Sequence, residues 1–524
     1  MSRMIKVILW GEEVGRLLWD ERRHLSYFTF NPDFLSKGID IAPLTAPIGD
    51  IGSRMPVYGA SERIYQKLPP FIADSLPDDW GNRLFDYWRQ EHRIPAAEIT
   101  PLEKLSFIGS RGMGALEFIP ETGSYISRGK IDIQSLTALA QKIFSDRENA
   151  RILPEESLTM QSLIAVGTSA GGRQPKAVVA VSKETGEIRS GQIYGLEGYD
   201  YCILKFGDPA RSSAELEMSY WRMAVDAGIR MTDSRLMEIE GTKHFLTERF
   251  DRENGRKLHI QTLAAMYPDA ASYEDMLLVC RKLQLPETDS EEVFRRMVFN
   301  ILSNNTDNHN KNFSFIMNPQ GQWRLAPAYD MTFIFNAGGY QAQEEHCLSA
   351  GGKLHDFTKE DILAFAAANG IRRPASIIDK VAASLSRFRA IATGYGVKQE
   401  WIPRIESSIH RHMIECGCMT VPSSKVTFED TKGNTISNIR IEQAYHGNYH
   451  LLADINGHER KYIIRKGTNL YSEISSIGAN RLPEDYLRTL AETLLYPNLL
   501  ISNHNLFLPW TLRFGNTKMD IRPT

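Results

Sequence analysis

The stretch Thr306–Asp330, TDNHNKNFSFIMNPQGQWRLAPAYD, decides the reading of this chain. Asp307 and Asn312 stand in the spacing D-x-x-x-x-N. Behind them, Phe313 to Met317 alternates as a strand and Asn318-Pro319-Gln320-Gly321 reads as a turn. Gln322 to Leu325 follows as a second strand, and the segment ends on Asp330. Such a hairpin returns the chain on itself and brings Asn312 and Asp330 side by side. Metal-assisted phosphoryl transfer requires a carboxylate to accept a hydroxyl proton. It also requires an amide oxygen and a second carboxylate to hold a hard cation on ATP phosphates. The spacing is that of the protein-kinase catalytic loop, but no Arg precedes Asp307, and Ala328-Tyr329-Asp330-Met331 stands in place of D-F-G. A polar turn whose Asp, Asn and His satisfy backbone groups is the competing reading.

Upstream, Tyr201-Cys202-Ile203-Leu204-Lys205 is an apolar strand ending on a lysine, and Glu217 lies on the helix expected from Ser213 to Ala227. A strand lysine paired with a helix glutamate is the phosphate clamp of kinases, whereas a lysine snorkelling to solvent is the plainer alternative. Ahead of it, Gly167–Lys176 (GTSAGGRQPK) is a glycine-rich turn in which the bare amides at Gly171 and Gly172 suit phosphates. Arg173 and Gln174 break the Walker pattern. Leu246–Arg252 (LTERFDR), with Glu248, Arg249 and Phe250, suits a hinge between two lobes whose backbone binds adenine; an edge strand ending in exposed charges fits equally.

Other signals are read as structural. Gly109, Gly112 and Gly114 look like a nucleotide loop but are better taken as packing turns. His410, His412, Cys416 and Cys418 offer four ligands, yet helical spacing scatters them and C-x-C is a poor zinc spacing.

The chain has 524 residues, 42% apolar and 24% charged, enough for three or so domains with a large core. A net charge of -3 gives no overall electrostatic attraction to nucleic acid or an anionic membrane. The five scattered cysteines form no disulfide framework, and no apolar run approaches the length of a membrane span, so a soluble, cytoplasmic protein is expected.

Changes of pattern divide the chain into an α+β subdomain (1–125), a strand-rich lobe (126–252), a helical lobe (253–419) and a C-terminal α+β appendage (420–524). The appendage is expected to carry strands around turns at Lys432-Gly433-Asn434 and Asn456-Gly457, and a helix near Glu484 to Leu495. The fold class is α+β, and strands followed by helices make it bilobal.

Taken in order, GTSAGGRQPK, ILKF, Glu217, ERFDR, TDNHNKNFS and PAYDM resemble the HipA family of bacterial kinases, from about Val7 to Met419. LPPFIADSLPDDWGNRL and PLEKLSFIGSRGMGALEF resemble its N-terminal subdomain. The resemblance implies the protein-kinase-like fold of HipA type, with ATP and Mg²⁺ as cofactors. It puts the catalytic base on Asp307, the Mg²⁺ ligands on Asn312 and Asp330, and the contact to ATP phosphates on Lys205. His309 and Lys311 also match the motif. Lys311 is suited to stabilise the transferring phosphoryl group, and His309 joins the ATP-side residues with Lys176 and Glu217, although nothing near it completes a metal or triad pattern.

The resemblance further implies serine/threonine phosphorylation and self-inactivation by autophosphorylation at Ser169, where a phosphate would compete with those of ATP. It implies a toxin that phosphorylates an aminoacyl-tRNA synthetase. The toxin is restrained by a small helix-turn-helix antitoxin of HipB type and meets DNA only through that partner. The appendage departs from the family pattern. Rival readings are a pseudokinase-like binding module working with a helix-turn-helix partner, and a small-molecule kinase.

Overall fold

The computed structural model describes residues 4–49, 56–122, 131–145, 156–167, 174–193, 195–253, 255–335 and 345–419. Beyond these it describes strands within 426–430, 435–443, 449–465, 473–476, 510–514 and 517–523.

The N-terminal part builds an antiparallel sheet from β1 (Met4–Leu9), β2 (Glu12–Asp20), β3 (Leu25–Phe30), β4 (Val57–Tyr58) and β5 (Leu116–Ile119), in the order β4-β3-β2-β1-β5. In β3 the period of two sends Ser26, Phe28 and Phe30 inward. Helices α1 (Pro32–Leu35), α2 (Pro70–Ala73), α3 (Asp79–Glu91) and α4 (Pro101–Ile108) accompany it.

The strand-rich lobe comprises α5 (Ile133–Ser145), α6 (Ser157–Gly167), β6 (Lys176–Ser182), β7 (Ile188–Ser190), β8 (Tyr199–Lys205), α7 (Ser213–Asp226), β9 (Ser234–Ile239) and β10 (Thr242–Glu248). Its sheet runs β7-β6-β8-β10-β9. One apolar cluster joins Val179 and Leu204 of this sheet to Leu163 and Ile164 of α6, and also to Trp80, Phe85 and Phe107 of α3 and α4. The core therefore crosses the boundary expected near residue 125.

Helix α7 crosses the next boundary. Leu216, Tyr220, Met223, Ala224 and Ala227 recur at helical spacing and enter the core of the helical lobe. There the Tyr220 hydroxyl donates to Ser303 O (2.7 Å) and Ser384 Oγ donates to Met223 O (2.6 Å). Each large apolar side chain so buried contributes about 1.5–3 kcal/mol.

The helical lobe starts with the two-residue strands β11 (Arg252–Glu253) and β12 (Arg256–Lys257). Next come β13 (His259–Thr262), α8 (Leu263–Met266), α9 (Tyr273–Lys282) and α10 (Glu287–Ser303). The expected hairpin is present as β14 (Ser314–Met317) and β15 (Trp323–Leu325), with Phe315 opposite Leu325 and Met317 opposite Trp323. Asn318 Oδ1 closes its turn by accepting from the Gln320 and Gln322 amides. Helices α11 (Lys359–Ala368), α12 (Pro374–Leu385), α13 (Phe388–Tyr395) and α14 (Ile402–Glu415) complete the lobe.

In the appendage, β16 (Val426–Asp430), β17 (Thr435–Gln443), β18 (Tyr449–Ile455), β19 (His458–Arg465), β20 (Glu473–Ser476), β21 (Trp510–Phe514) and β22 (Thr517–Pro523) form one sheet. Asn456 and Gly457 both have positive φ, as a two-residue hairpin turn requires. The turn at 432–434 and the helix expected near 484–495 lie outside the described residues. Among the described residues no helix is long and apolar enough to cross a membrane.

Candidate active site

Helix α10 ends because Asn304 adopts a left-handed conformation (φ 54°) while the Asn305 amide donates back to Asn300 O (2.9 Å). From that cap, Asn304, Asn305, Thr306 and Asn308 are buried and Asp307 alone projects, its side chain half exposed. A side-chain network fixes the loop from beneath. Asn305 Nδ2 donates to Asn300 Oδ1 (2.9 Å), and the Tyr273 hydroxyl accepts from Asn300 (2.8 Å) and from Asn308 (3.0 Å). Asn308 Oδ1 accepts from the Cys347 amide (2.8 Å). The sequence alone assigns none of these supports; the run Ser303-Asn304-Asn305-Thr306-Asp307-Asn308 at the end of an apolar helix is the signal that points to them.

The loop and hairpin bring Asp307, Asn312 and Asp330 into one cleft, which Arg296, Asn305 and Tyr329 also line. Asn312 Nδ2 donates to Asp307 O (2.6 Å), which sets the orientation of its side-chain amide. Asp330 sits at φ 53°, a region that costs a non-glycine residue about 1 kcal/mol. The preceding backbone fixes it there, since Ala328 N donates to Arg230 O (2.7 Å).

Lys205 closes the site from the sheet. At the end of β8 it lies opposite Lys176 of β6 and Phe245 of β10. Its ammonium donates to Glu217 Oε1 (2.5 Å) and to Asp330 Oδ1. Lys205 is 7% exposed and Glu217 6%, so this is a buried clamp rather than a snorkelling lysine. Burial opposes the Lys205 charge, but Asp330 and Glu217 overcome it and raise the ammonium pKa. Burial likewise opposes the Asp330 charge, yet Lys205 and Lys176 hold that carboxyl at about 2. For Glu217 burial wins and the pKa rises. Burial lowers that of Lys176, and Asp330 partly offsets it.

The remaining expected residues are placed as follows. Lys311 is exposed at the lip of the loop, with its carbonyl accepting from the Tyr329 hydroxyl (2.8 Å). His309 Nδ1 accepts from the Lys311 amide (3.2 Å), and its Nε2 lies 3.8 Å from Asp307 Oδ1. Ser169, Gly171 and Gly172 lie outside the described residues.

The stretch Leu246–Arg252 is not arranged as a charged edge. Arg249 pairs with Asp251 through Nε (2.8 Å) and its terminal nitrogen (2.7 Å), Arg252 adds a third contact (2.6 Å), and the Gly114 amide a fourth (2.7 Å). The Arg249 guanidinium is thus turned into the protein, and the Glu248 and Arg249 amides already donate to Asp233 O and Tyr201 O. Phe250 stacks on Tyr329 (5.5 Å between ring centres) and so reaches the cleft lining. Gly114, at φ 75°, is a packing turn: a Cβ there would stand 3.1 Å from Ile260 N. The His/Cys group is also structural. His412 Nδ1–H donates to Ser408 O, the Cys416 thiol to Phe357 O and the Cys418 thiol to Cys416 O.

The HipA N-terminal domain family matches residues 5–119, and the HipA-like C-terminal domain family matches 168–388. A relative described as serine/threonine-protein kinase toxin HipA, from Shewanella oneidensis, is 20% identical over 353 residues, covering 61% of this chain and 73% of the relative. A putative kinase from Haemophilus influenzae is 24% identical over 213 residues, 36% of this chain and 60% of that protein. Among solved structures, the complex of Shewanella oneidensis HipA, HipB and operator DNA is similar in fold, with a TM-score of 0.55 at 16% identity over 79% of this chain and 96% of that one. With both HipA domain families matched in order along it, the chain belongs to the HipA family of kinases.

Proposed function

We propose that this chain is an ATP- and Mg²⁺-dependent protein serine/threonine kinase that acts as a HipA-type toxin. The observation that carries the reading is the Lys205 ammonium held between Glu217 and Asp330, with Asp330 sharing its cleft with Asp307 and Asn312.

The donor set fits Mg²⁺. Asn312 and Asp330 present oxygen atoms, the ligands a hard cation takes, and the ion when bound supplies charge neutralisation between ATP phosphates. The chain's own residues do the rest. Lys205, with Lys176 beside it, draws the phosphates of ATP to the sheet. Glu217 fixes the direction of that ammonium, and Phe250 borders the nucleotide at the lobe junction. The exposed Asp307 carboxylate accepts the proton of an incoming seryl or threonyl hydroxyl as its oxygen attacks the γ-phosphorus and the bond to the β-phosphate oxygen breaks. Lys311 at the lip opposes the charge spread over the transferring group.

Ser169 is the proposed autophosphorylation site, because it lies in the glycine-rich segment preceding Lys176. The Shewanella relative, named as a serine/threonine-protein kinase toxin and solved with HipB and operator DNA, supports a protein target and a HipB-type partner; the target proposed from the family resemblance is an aminoacyl-tRNA synthetase, with DNA met only through the partner. Labelled ATP tests the reading. Wild-type protein with Mg²⁺ is expected to label itself at Ser169 and one cellular protein, and Asp307→Asn to bind ATP without labelling. Equal labelling by wild type and Asp307→Asn refutes the assignment. Growth arrest on expression, relieved by the same substitution, tests the toxin role.

A further inference from the structure

Among the contacts of the N-terminal domain with the support of the proposed catalytic loop is a half-buried carboxylate. Asp74, at the C-terminal end of α2, spends both oxygens on Thr262: Oδ2 accepts from its amide (2.7 Å) and Oδ1 from its hydroxyl (2.7 Å). Thr262 ends β13, caps α8 by accepting from the Ala265 amide, and is paired with Ser314, the first residue of β14. The neighbouring Leu263 amide donates to Phe313 O (2.7 Å), and Tyr65, also of the N-terminal domain, donates its hydroxyl to Ala264 O (2.8 Å). The backbone that leaves the catalytic loop is therefore laid against a strand end whose position Asp74 sets.

On the far side of the same pair stands Tyr329. A carbonyl only accepts, so the Tyr329 hydroxyl donates to Lys311 O (2.8 Å) and in turn accepts from Ser314 Oγ (2.6 Å). Tyr329 also precedes Asp330 in the chain and stacks on Phe250. One hydroxyl thus ties the catalytic loop to the residue before the second carboxylate.

We infer that Asp74 and Tyr329 are positioning residues for phosphoryl transfer, joined through Thr262 and Ser314 into one relay by which the N-terminal domain holds the Asp307–Asn312 loop in register with Asp330. The inference rests on the kinase reading and deepens it, since it assigns the N-terminal domain a part in catalysis that neither half of the cleft supplies.

Steady-state kinetics of Asp74→Ala, Tyr329→Phe and the double variant, with hydrogen exchange of the intact proteins, tests it. Each single change is expected to lower kcat about 10- to 100-fold while KM for ATP stays within about twofold, because a displacement on the order of 1 Å at the loop costs up to about 100-fold. The double variant should lose little beyond the worse single one, as members of one relay do. Asp74→Asn keeps an acceptor for the Thr262 amide and should recover most of the rate. Amides of Lys311–Ser314 should exchange faster in both single variants. Losses that multiply, or unchanged exchange in Asp74→Ala, overturn the relay. If wild-type protein transfers no phosphate the kinase reading fails by itself, and the exchange data still decide whether the relay holds the loop.

Discussion

Replacing Lys205 with Met removes a cation from between two carboxylates while keeping much of the side chain's length and apolar stem. Glu217 and Asp330 then face each other with Lys176 near both and the His309 imidazole near Asp330. Breaking a buried pair from one side costs about 3–5 kcal/mol, since the stranded charge keeps its desolvation penalty. The pH dependence gives a sharper signature than the loss itself. In the wild type, Asp330 is held at about 2 against an ordinary 3.8. Its side chain is 31% exposed, so after solvent screening that difference contributes about 1–2 kcal/mol at neutral pH. The contribution is fully present above pH about 4 and is lost as pH falls through about 2. In the variant the balance shifts further towards protonation. Glu217, whose pKa burial already raises, loses the ammonium that opposed that rise, and Asp330 loses the one that held it low, so the folded state binds more protons than wild type does. Stability therefore increases more steeply than in wild type as pH falls from 7 towards 5, by up to about 1.4 kcal/mol per pH unit. Urea unfolding of both proteins from pH 5 to 8 measures this. A Lys205→Met protein within about 1 kcal/mol of wild type at pH 7.5, with the same pH dependence as wild type from 5 to 8, refutes the buried clamp.

Two further outcomes follow from the same geometry. Asp251→Asn leaves the buried Arg249 and Arg252 guanidinium groups without their anion and should cost about 3–5 kcal/mol in urea unfolding, whereas a surface pair would cost under about 1. Tyr273→Phe removes the acceptor shared by Asn300 and Asn308, each a buried amide whose unmet donor costs about 1–3 kcal/mol. It should lower kcat with KM for ATP unchanged, measured by phosphate transfer at saturating ATP.

What the sequence disclosed was what local chemistry writes into it. The β14–β15 hairpin announces itself by a period of two on either side of Asn318-Pro319-Gln320-Gly321, and the clamp by an apolar strand ending on Lys205 before a helix carrying Glu217. The contacts that complete the site span large separations: 125 residues from Lys205 to Asp330, 137 from Gly114 to Asp251, 188 from Asp74 to Thr262. No local pattern encodes such pairings, and this is also why an edge strand ending in exposed charges stands as one reading of Leu246–Arg252, although its arginines neutralise Asp251 inside the protein. The polar stretch after residue 120 suggests a boundary, but only the fold shows Trp80 and Phe107 inserted beneath the next sheet.

Helix α7 carries the largest consequence. Its amphipathic spacing is legible, but the core it enters is not, and that core belongs to the helical lobe. Tyr220 bonds the residue that closes α10, and Ser384 of α12 bonds the helix itself. Glu217 is therefore tied to the lobe that carries Asp307 and Asp330 and also, through Ala214 and Met218 packed on Phe245, to the sheet that carries Lys205 and Lys176. The helix bridges the two halves of the cleft. Drawing the sheet away from Asp330 would break the Lys205 bond there, and the released carboxylate would regain the water that its burial now excludes.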